Sequence, residues 1–86
     1  MSEIRQENSM VVGIKQTLRM VERDCISELF IAKDADFYVT KPILEVAREN
    51  RVPIRYVESK KKLGHLCGID IGAAVAGRVK DVQAQI

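Results

Sequence analysis

Basic and amide side chains occupy the start of a predicted helix, where acidic side chains are usual. Lys15 and Gln16 lie in its first turn directly after Gly13, and Arg19 follows one turn later. Because this end of a helix carries free N–H groups and about half a positive charge, Lys15 opposes the dipole by roughly a few tenths of a kcal/mol. An anionic ligand would reverse that sign, and Gly13 lets it approach the backbone closely. The alternative is an ordinary solvated face, on which Arg19 pairs with Glu22.

Three consecutive lysines, Lys60–Lys62, open a predicted short helix. Because folded structure holds them, they suit phosphate contacts better than a disordered tail would, although a solvated face is the other interpretation.

The loop that follows, Gly68–Gly72, carries Ile69 and Ile71 between glycines. These two side chains either begin the last strand and point into the core, or form an exposed apolar clamp for a flat group. An unstacked base is such a group, and RNA offers one more readily than duplex DNA.

No arrangement of residues in the sequence is typical of catalysis or metal binding. Asp34 and Asp36 are paired carboxylates, but no third oxygen ligand, nucleophile or histidine accompanies them, so we assign them to a turn and a helix start. His65 is a lone histidine that we expect to be exposed. Cys25 and Cys67 lack CxxC spacing, so we expect two free, half-buried thiols and no zinc site. We therefore predict a protein that is not an enzyme and holds no cofactor or metal.

Length and composition restrict the remaining classes of protein to which the chain could belong. The chain has 86 residues, of which 47% are apolar, so we expect one domain over residues 1–86 with a packed core. Its 14 Lys and Arg against 12 Asp and Glu give a net charge of +2, and the lysine excess is local to residues 59–68. No apolar run is long enough to span a bilayer, and residues 1–8 are polar with mixed charge. We therefore expect no signal peptide and a cytoplasmic location.

Changes in the hydrophobic period predict the elements that position these groups. Met10–Val12 is a brief apolar run, and the i, i+4, i+7 spacing of Ile14, Leu18 and Val21 predicts a helix that ends near Arg23. The later predicted elements are a buried strand over Leu29–Ala32, a helix to about Asn50, a strand over Pro53–Val57, a helix over Lys60–Leu66 and a strand over Ala73–Val79. A polar segment at 3–8 has the composition for one or two helical turns. Strands separated by single helices predict an α/β fold, a three-layer α-β-α sandwich around a four-stranded mixed sheet.

The start of the second helix is assigned from capping residues. Thr40 is the predicted N-cap, after a polar turn over Lys33–Asp36. Pro42 then lies in the first turn, where its missing N–H does no harm. Val39 and Leu44 stand at N′ and N4, the positions of a hydrophobic staple.

Three motifs, taken in order, resemble one known family. They are Gly13–Arg19, Ile31–Asp36, and Ser59–Gly64 followed by Cys67–Ile71. Together they look like the ribosomal L7Ae/L30e superfamily of kink-turn RNA-binding proteins, and the bacterial branch is the nearest likeness. The resemblance runs from about residue 10 to residue 79, nearly the whole chain. It implies an α-β-α sandwich that grips a sharply bent RNA internal loop.

The resemblance implies roles for the basic helix start. The family places an Asn and a Glu here on sheared G·A pairs, through the major groove, and the matching positions are Lys15 and Gln16. Gln16 offers both a donor and an acceptor, whereas Lys15 offers only donors, which suit guanine O6 and N7. Normal A-form RNA hides these base edges and a kink exposes them. Arg19 matches the family's basic residue one turn on, and Lys60 matches a lysine that contacts phosphate.

The resemblance also implies a site for one extruded base. Asp36 matches an acidic position that faces this base, and Ile69–Ile71, with Ala73 and Ala74 behind it, matches an apolar lid. The family usually has a proline where this chain has Phe37, which is a departure in the local turn. The predicted RNA-binding residues are therefore Gly13, Lys15, Gln16, Arg19, Asp36, Lys60, Ile69, Asp70, Ile71 and Ala73.

Base stacking on an exposed aromatic pair, as in sheet-based RNA readers, is not expected. The only aromatic residues are Phe30, Phe37, Tyr38 and Tyr56. A binding mode built on a helix start and an apolar loop is consistent with that shortage.

The predicted function is non-catalytic recognition and stabilisation of kink-turns by a ribosomal-protein-like monomer. Its partner is a structured RNA, whether ribosomal, riboswitch or other non-coding RNA, with the ribosome as one setting. Two alternatives stay open: a constitutive large-subunit ribosomal protein, and a protein-interaction module that docks through the Ile69–Ile71 loop.

Overall fold

Four strands and three helices alternate along the chain in a computed structural model that describes residues 9–80. In chain order they are β1 (Met10–Val12), α1 (Ile14–Glu22), β2 (Ile26–Ala32), α2 (Phe37–Glu49), β3 (Ile54–Val57), α3 (Lys60–Leu66) and β4 (Val75–Val79). The helical turns expected at 3–8 lie outside the described residues. No helix within residues 9–80 has the length and apolar character needed to cross a membrane.

The strands form one mixed sheet in the order β1-β4-β2-β3. β2 and β3 are parallel, whereas β4 is antiparallel to both β1 and β2. β1, β2 and β3 therefore run in the same direction, and each is followed by a helix. It follows that α1, α2 and α3 all begin at the same end of the sheet, where β4 also begins, and we call this the helix-start end. The expected four-stranded mixed sheet is confirmed.

Two hydrophobic cores lie on opposite faces of the sheet, because side chains alternate along β2. Leu29 and Ile31 pack in one core with residues of α1 and α2, and Phe30 and Ala32 pack in the other with Leu63 of α3. Each large apolar side chain buried in this way contributes roughly 1.5–3 kcal/mol. Helices therefore cover both faces of the sheet, which confirms the expected three-layer sandwich.

Helix α2 begins earlier than expected. Its N-cap is Asp36, whose side chain accepts a hydrogen bond from the Tyr38 N–H at 2.9 Å. The prediction of Thr40 as N-cap is therefore wrong. Thr40 lies buried inside the helix, and its hydroxyl donates to the Phe37 carbonyl at 3.3 Å. Both Asp36 and Thr40 are good capping types, and the burial of Thr40 decides between them.

Two further predictions for α2 are wrong for the same reason. Pro42 lies in the helix interior instead of the first turn. There it removes the hydrogen bond that residue 42 would donate to the Tyr38 carbonyl, and Tyr38 is an exposed residue. Val39 is the third residue of α2 and not a residue before the cap, so the predicted staple with Leu44 does not form.

The strand boundaries differ by a few residues from those predicted. β2 begins at Ile26 because the polar residues before Leu29 continue the ladder, with a register shift between Ile26 and Glu28. β4 begins at Val75, so Ala73 belongs to the preceding loop. β3 begins one residue after the predicted leading proline.

Candidate functional site

The start of α1 is open. Gly13, its N-cap, has φ of 104°, a left-handed conformation that favours glycine. Apart from Gly13 and its two chain neighbours, no heavy atom of residues 9–80 lies within 4 Å of the place that a Cβ on Gly13 would occupy. No side chain in the described part of the chain accepts a hydrogen bond from the first-turn N–H groups, and this turn carries no acidic residue. Because Lys15 and Gln16 are exposed in the same turn, backbone and side-chain donors are available together at this helix end.

The loop over residues 68–74 is anchored to α3 by its backbone. The Ile69 N–H donates to the Gly64 carbonyl, and the Ala73 N–H donates to the Lys60 carbonyl, each at 3.0 Å. Gly64 allows the close approach, since a Cβ at this position would overlap the Ile71 carbonyl oxygen. The loop is therefore held in one path across α3.

The residues of this loop divide between the two predicted roles. Ile69 is half-buried and packs on the core that contains Leu63, and Ala73 is buried in that core. Ile71 is 73% exposed, and Asp70 beside it is exposed as well. Ile69 therefore packs on the core as the first alternative expects, although it does not begin β4, and Ile71 is exposed as the second alternative expects.

Backbone hydrogen bonds connect the α1 start and this loop. The Gly13 N–H donates to the Val75 carbonyl at 3.0 Å, and the Ala32 N–H donates to the Ala74 carbonyl at 2.9 Å. The end of the loop therefore lies between the start of α1 and the end of β2. The predicted residues that the structure brings to the helix-start end are Gly13, Lys15, Gln16, Asp36, Lys60, Ile69, Asp70, Ile71 and Ala73, and Arg19 lies one turn further along α1.

The exposed cations near this end have no acidic partner among residues 9–80. The ion pairs within residues 9–80 involve other cations, namely Arg55, Arg78 and Lys80. Arg19 makes no ion pair with Glu22, so the ion pair expected if this were an ordinary solvated face is absent. No acidic group of the described residues lies within 4 Å of the following cations: Lys15, Arg19, Lys60, Lys61 and Lys62. Their charge is therefore available to an external anion.

The two carboxylates singled out in the sequence hold helix starts. Asp36 caps α2, and Asp34 accepts a hydrogen bond from the Lys60 N–H at 2.8 Å, which ties the turn after β2 to the start of α3. Their assignment to a turn and a helix start is confirmed. Phe37 occupies the first position of α2, where proline is also favourable, so this departure from the family pattern leaves the helix start intact.

Three aromatic side chains are exposed, which the sequence reasoning missed. The exposed fractions are 60% for Phe37, 84% for Tyr38 and 53% for Tyr56. Phe37 and Tyr38 stand edge to face with ring centroids 6.2 Å apart. An exposed aromatic pair is therefore present, but it stands at the start of α2 and not on the sheet, where sheet-based RNA readers carry theirs. The available signal was the run of apolar residues after Asp36, but a helix start placed several residues too late left these rings unassigned.

The remaining reactive side chains form no cluster. Within residues 9–80, no three His, Cys, Asp or Glu side chains group closely enough to hold a metal ion. His65 is exposed on α3, as expected. Cys25 and Cys67 are free and half-buried, as expected. Burial raises the pKa of the Cys67 thiol, which is therefore uncharged at neutral pH.

Comparison with known proteins agrees with the resemblance inferred from the motifs. Residues 1–86 match the ribosomal protein L7Ae/L30e/S12e/Gadd45 family. A protein of Caldanaerobacter subterraneus named as an RNA-binding protein is 46% identical over 69 residues, which are 80% of this chain and 84% of that protein. A Bacillus pumilus protein with the same kind of name is 43% identical over 72 residues, which are 84% of this chain and 88% of that one. These bacterial relatives confirm the likeness to the bacterial branch.

A solved structure shares the fold. The 15.5kD RNA-binding protein of Giardia lamblia superimposes with a TM-score of 0.80 at 24% sequence identity, and the match covers 90% of this chain and 65% of that one. At this level of identity the likeness concerns the fold alone.

Proposed function

Because the chain belongs to the ribosomal protein L7Ae/L30e/S12e/Gadd45 family, we propose that it is a non-catalytic RNA-binding protein that recognises and stabilises kink-turns. The family match and the names of the bacterial relatives support the RNA-binding part. The observation that carries the finer part is the open, basic start of α1, which lies at the same end of the sheet as the exposed Ile71. The proposed partner is a structured cellular RNA, and the proposed state is a cytoplasmic monomer.

The start of α1 is the proposed reader of the sheared G·A pairs. Lys15 donates to guanine O6 and N7, and Gln16 pairs a donor and an acceptor with the adjacent base edge. The free N–H groups of the first turn add a weak anion site for a phosphate of the bent strand. A narrow A-form groove hides these base edges, so the kink is what makes the contact feasible.

The loop and the turn after β2 are the proposed walls for the extruded base. Ile71 offers an exposed apolar surface, and Ala73 behind it is small and buried. Asp36 lies at the same end, with one carboxylate oxygen accepting the Tyr38 N–H. A carboxylate can accept at its other oxygen as well, so capping α2 and contacting a base are compatible.

Electrostatics should supply part of the affinity. If Lys15, Arg19 and Lys60–Lys62 contribute about three to five phosphate contacts, the logarithm of affinity falls against the logarithm of salt concentration with a slope of about −2 to −4. A flat salt dependence would contradict this division of the binding energy.

The direct test compares two RNAs that differ only at the kink. One carries a three-nucleotide bulge beside tandem G·A pairs, and the other has those pairs replaced by Watson–Crick pairs. We expect the protein to prefer the first by at least tenfold at equal salt, since each lost base-edge contact costs about 1–3 kcal/mol. Equal affinity for the two RNAs would show that the protein binds RNA without reading the kink.

Two rivals have their own tests. Near-stoichiometric co-sedimentation with large ribosomal subunits under all growth conditions favours a constitutive ribosomal protein. The exposure of Ile71 also suits a protein-docking surface. A partner protein that is captured by the wild type after RNase treatment, and lost with Ile71→Asp, favours that role.

A further inference from the structure

The exposed aromatic side chains form a group outside the proposed kink-turn site. The chain contains only two Phe and two Tyr, yet Phe37, Tyr38 and Tyr56 are all more than half exposed. Phe30 alone is buried. Exposed aromatic rings scattered over a surface are common, but rings that gather in one place mark an interaction site.

Phe37 and Tyr56 line the same shallow cavity. It has a volume of about 210 Å³ and lies between the start of α2 and the edge strand β3. Tyr56 is aligned with Ile31 in the parallel ladder, and Ile31 belongs to the core beneath α2. The floor of the cavity is apolar, with Ile31 and Leu44 contributing to it. A flat apolar group can therefore lie against this floor, next to the two rings that line the cavity.

Two exposed lysines lie beside the rings. Lys33 lines the cavity, and Lys41 lies one helical turn beyond Phe37, on the same side of α2. No acidic group of residues 9–80 comes within 4 Å of either amine. Two nearby acids are engaged with backbone groups, since Asp36 accepts from the Tyr38 N–H and Asp34 accepts from the Lys60 N–H. Exposed aromatic rings with cations beside them offer stacking to the bases and charge to the phosphates of a single nucleic-acid strand.

We propose that Phe37, Tyr38 and Tyr56, with Lys33 and Lys41, form a stacking surface for one or two unpaired nucleotides that flank the folded RNA. This inference rests on the proposed function and extends it, because it adds a single-stranded segment to the RNA that the protein selects. Phe37, one of the three rings, directly follows Asp36 at the helix-start end. A strand that leaves the kink-turn site can therefore reach it without crossing the protein.

The test uses the kink-turn RNA with and without a short single-stranded tail. We expect the tail to increase wild-type affinity by about 5- to 100-fold, as one or two stacked bases do. Tyr38→Ala and Tyr56→Ala each remove most of this gain and leave affinity for the tailless RNA unchanged. Tyr38→Phe and Tyr56→Phe keep the ring and therefore keep the gain.

Three controls separate stacking from other causes. A tail without bases should give little gain, because phosphates alone cannot stack. Leu66→Ala removes an exposed apolar side chain on α3, away from the rings, and should keep the full gain. Circular dichroism of both Tyr→Ala variants should match the wild type, as these residues are exposed.

The outcomes distinguish this inference from the proposed function. No gain from the tail, a gain that survives both Tyr→Ala changes, or an equal gain from the tail without bases would each overturn the stacking surface. Loss of an RNase-resistant protein partner by these variants, in place of the tail gain, would overturn it as well. Equal affinity for kinked and Watson–Crick RNA, with the tail gain intact, would overturn the proposed function and leave the stacking surface standing.

Discussion

The three helices begin at the same end of the sheet, but their starts differ. Asp36 caps α2 by accepting from the Tyr38 N–H, and Ser59 caps α3 by accepting from the Lys62 N–H. Helix α1 has no side-chain cap among the residues that the structure describes. A side chain therefore accepts a first-turn N–H at the starts of α2 and α3, whereas the start of α1 leaves its first-turn donors to solvent or to a ligand.

The backbone at Gly13 maintains this difference. A capping residue such as Ser or Asp stabilises a helix start by about 1 kcal/mol relative to Ala, and by only roughly a few tenths relative to Gly. The φ of 104° at Gly13 would strain any such residue, although there is space for its side chain. The open start of α1 therefore costs little stability and cannot be closed by a simple substitution.

The largest expected effect comes from removing the side chains of the open start. The double change Lys15→Ala and Gln16→Ala should weaken kink-turn binding by about 30- to 1,000-fold, because two base-edge contacts worth roughly 1–2 kcal/mol each are lost. The preference of the protein for RNA with tandem G·A pairs over RNA with Watson–Crick pairs should fall as well. Isothermal titration with the kinked and Watson–Crick RNAs measures both quantities.

A matched control lies on the same helix. Arg23→Ala removes one exposed cation at the opposite end of α1. It should change affinity by less than about threefold at moderate salt, as an isolated exposed charge does. Equal losses of affinity in the double variant and in this control would show that α1 acts as a general cationic surface and does not recognise base edges.

The second largest effect tests the loop that completes the site. Gly64→Ala places a methyl group on the Ile71 carbonyl oxygen. We expect it to lower the free energy of unfolding by about 1–3 kcal/mol, the usual cost of overpacking, and to weaken RNA binding by displacing Ile71. His65→Ala, an exposed neighbour on α3, should do neither. Urea denaturation with unchanged stability for Gly64→Ala would mean that the loop is not held as described.

Sequence reasoning predicted the parts of this fold that depend on local pattern. The period of Ile14, Leu18 and Val21 placed α1 correctly, and the unbroken apolar run of β2 indicated burial on both faces, as the two cores show. The start of α2 was missed because both Asp36 and Thr40 are good caps, and only the packing of Thr40 against the core decides between them.

The candidate site was predictable in its residue types and not in their exposure. Ile69 and Ile71 are the same residue type, yet Ile69 packs on the core and Ile71 is exposed. The chain passes directly over α3 here, and Gly64 allows this close approach because it has no side chain. The exposed rings were missed for a related reason. Whether an aromatic side chain is buried depends on what packs beside it, and the period of α2 does not reveal the neighbouring edge strand.

The capped start of α2 offers a test with a smaller expected effect, which is measured first on stability. Asp36→Ala should lower the free energy of unfolding by about 1 kcal/mol through loss of the α2 cap. Asp36→Asn keeps an acceptor oxygen and should restore most of that stability. If Asp36→Asn still weakens RNA binding, its carboxylate serves the base as well as the helix. If both variants are as stable as the wild type, the contrast between capped and open starts loses its energetic basis.

The smallest expected effect concerns the buried side of α1. The Thr17 hydroxyl is buried and has no hydrogen-bond partner within the described residues. Thr17→Val replaces it with a methyl group of similar size, so we expect the free energy of unfolding to rise by up to about 1 kcal/mol. RNA affinity should not change, because Thr17 faces the core and not the open start. A marked loss of stability would show that this hydroxyl has a partner.

Amide-resolved NMR during titration with the kinked RNA tests the central claim most directly. Amide signals of Lys15 and Gln16 at the start of α1, and of Ile69–Ile71 in the loop, should shift together and reach saturation at one equivalent of RNA. The turns at the opposite end of the sheet, around Asp24 and Arg51, should stay unchanged. Shifts confined to those turns, or shifts at the start of α1 without any in the loop, would contradict a single bent RNA held by both.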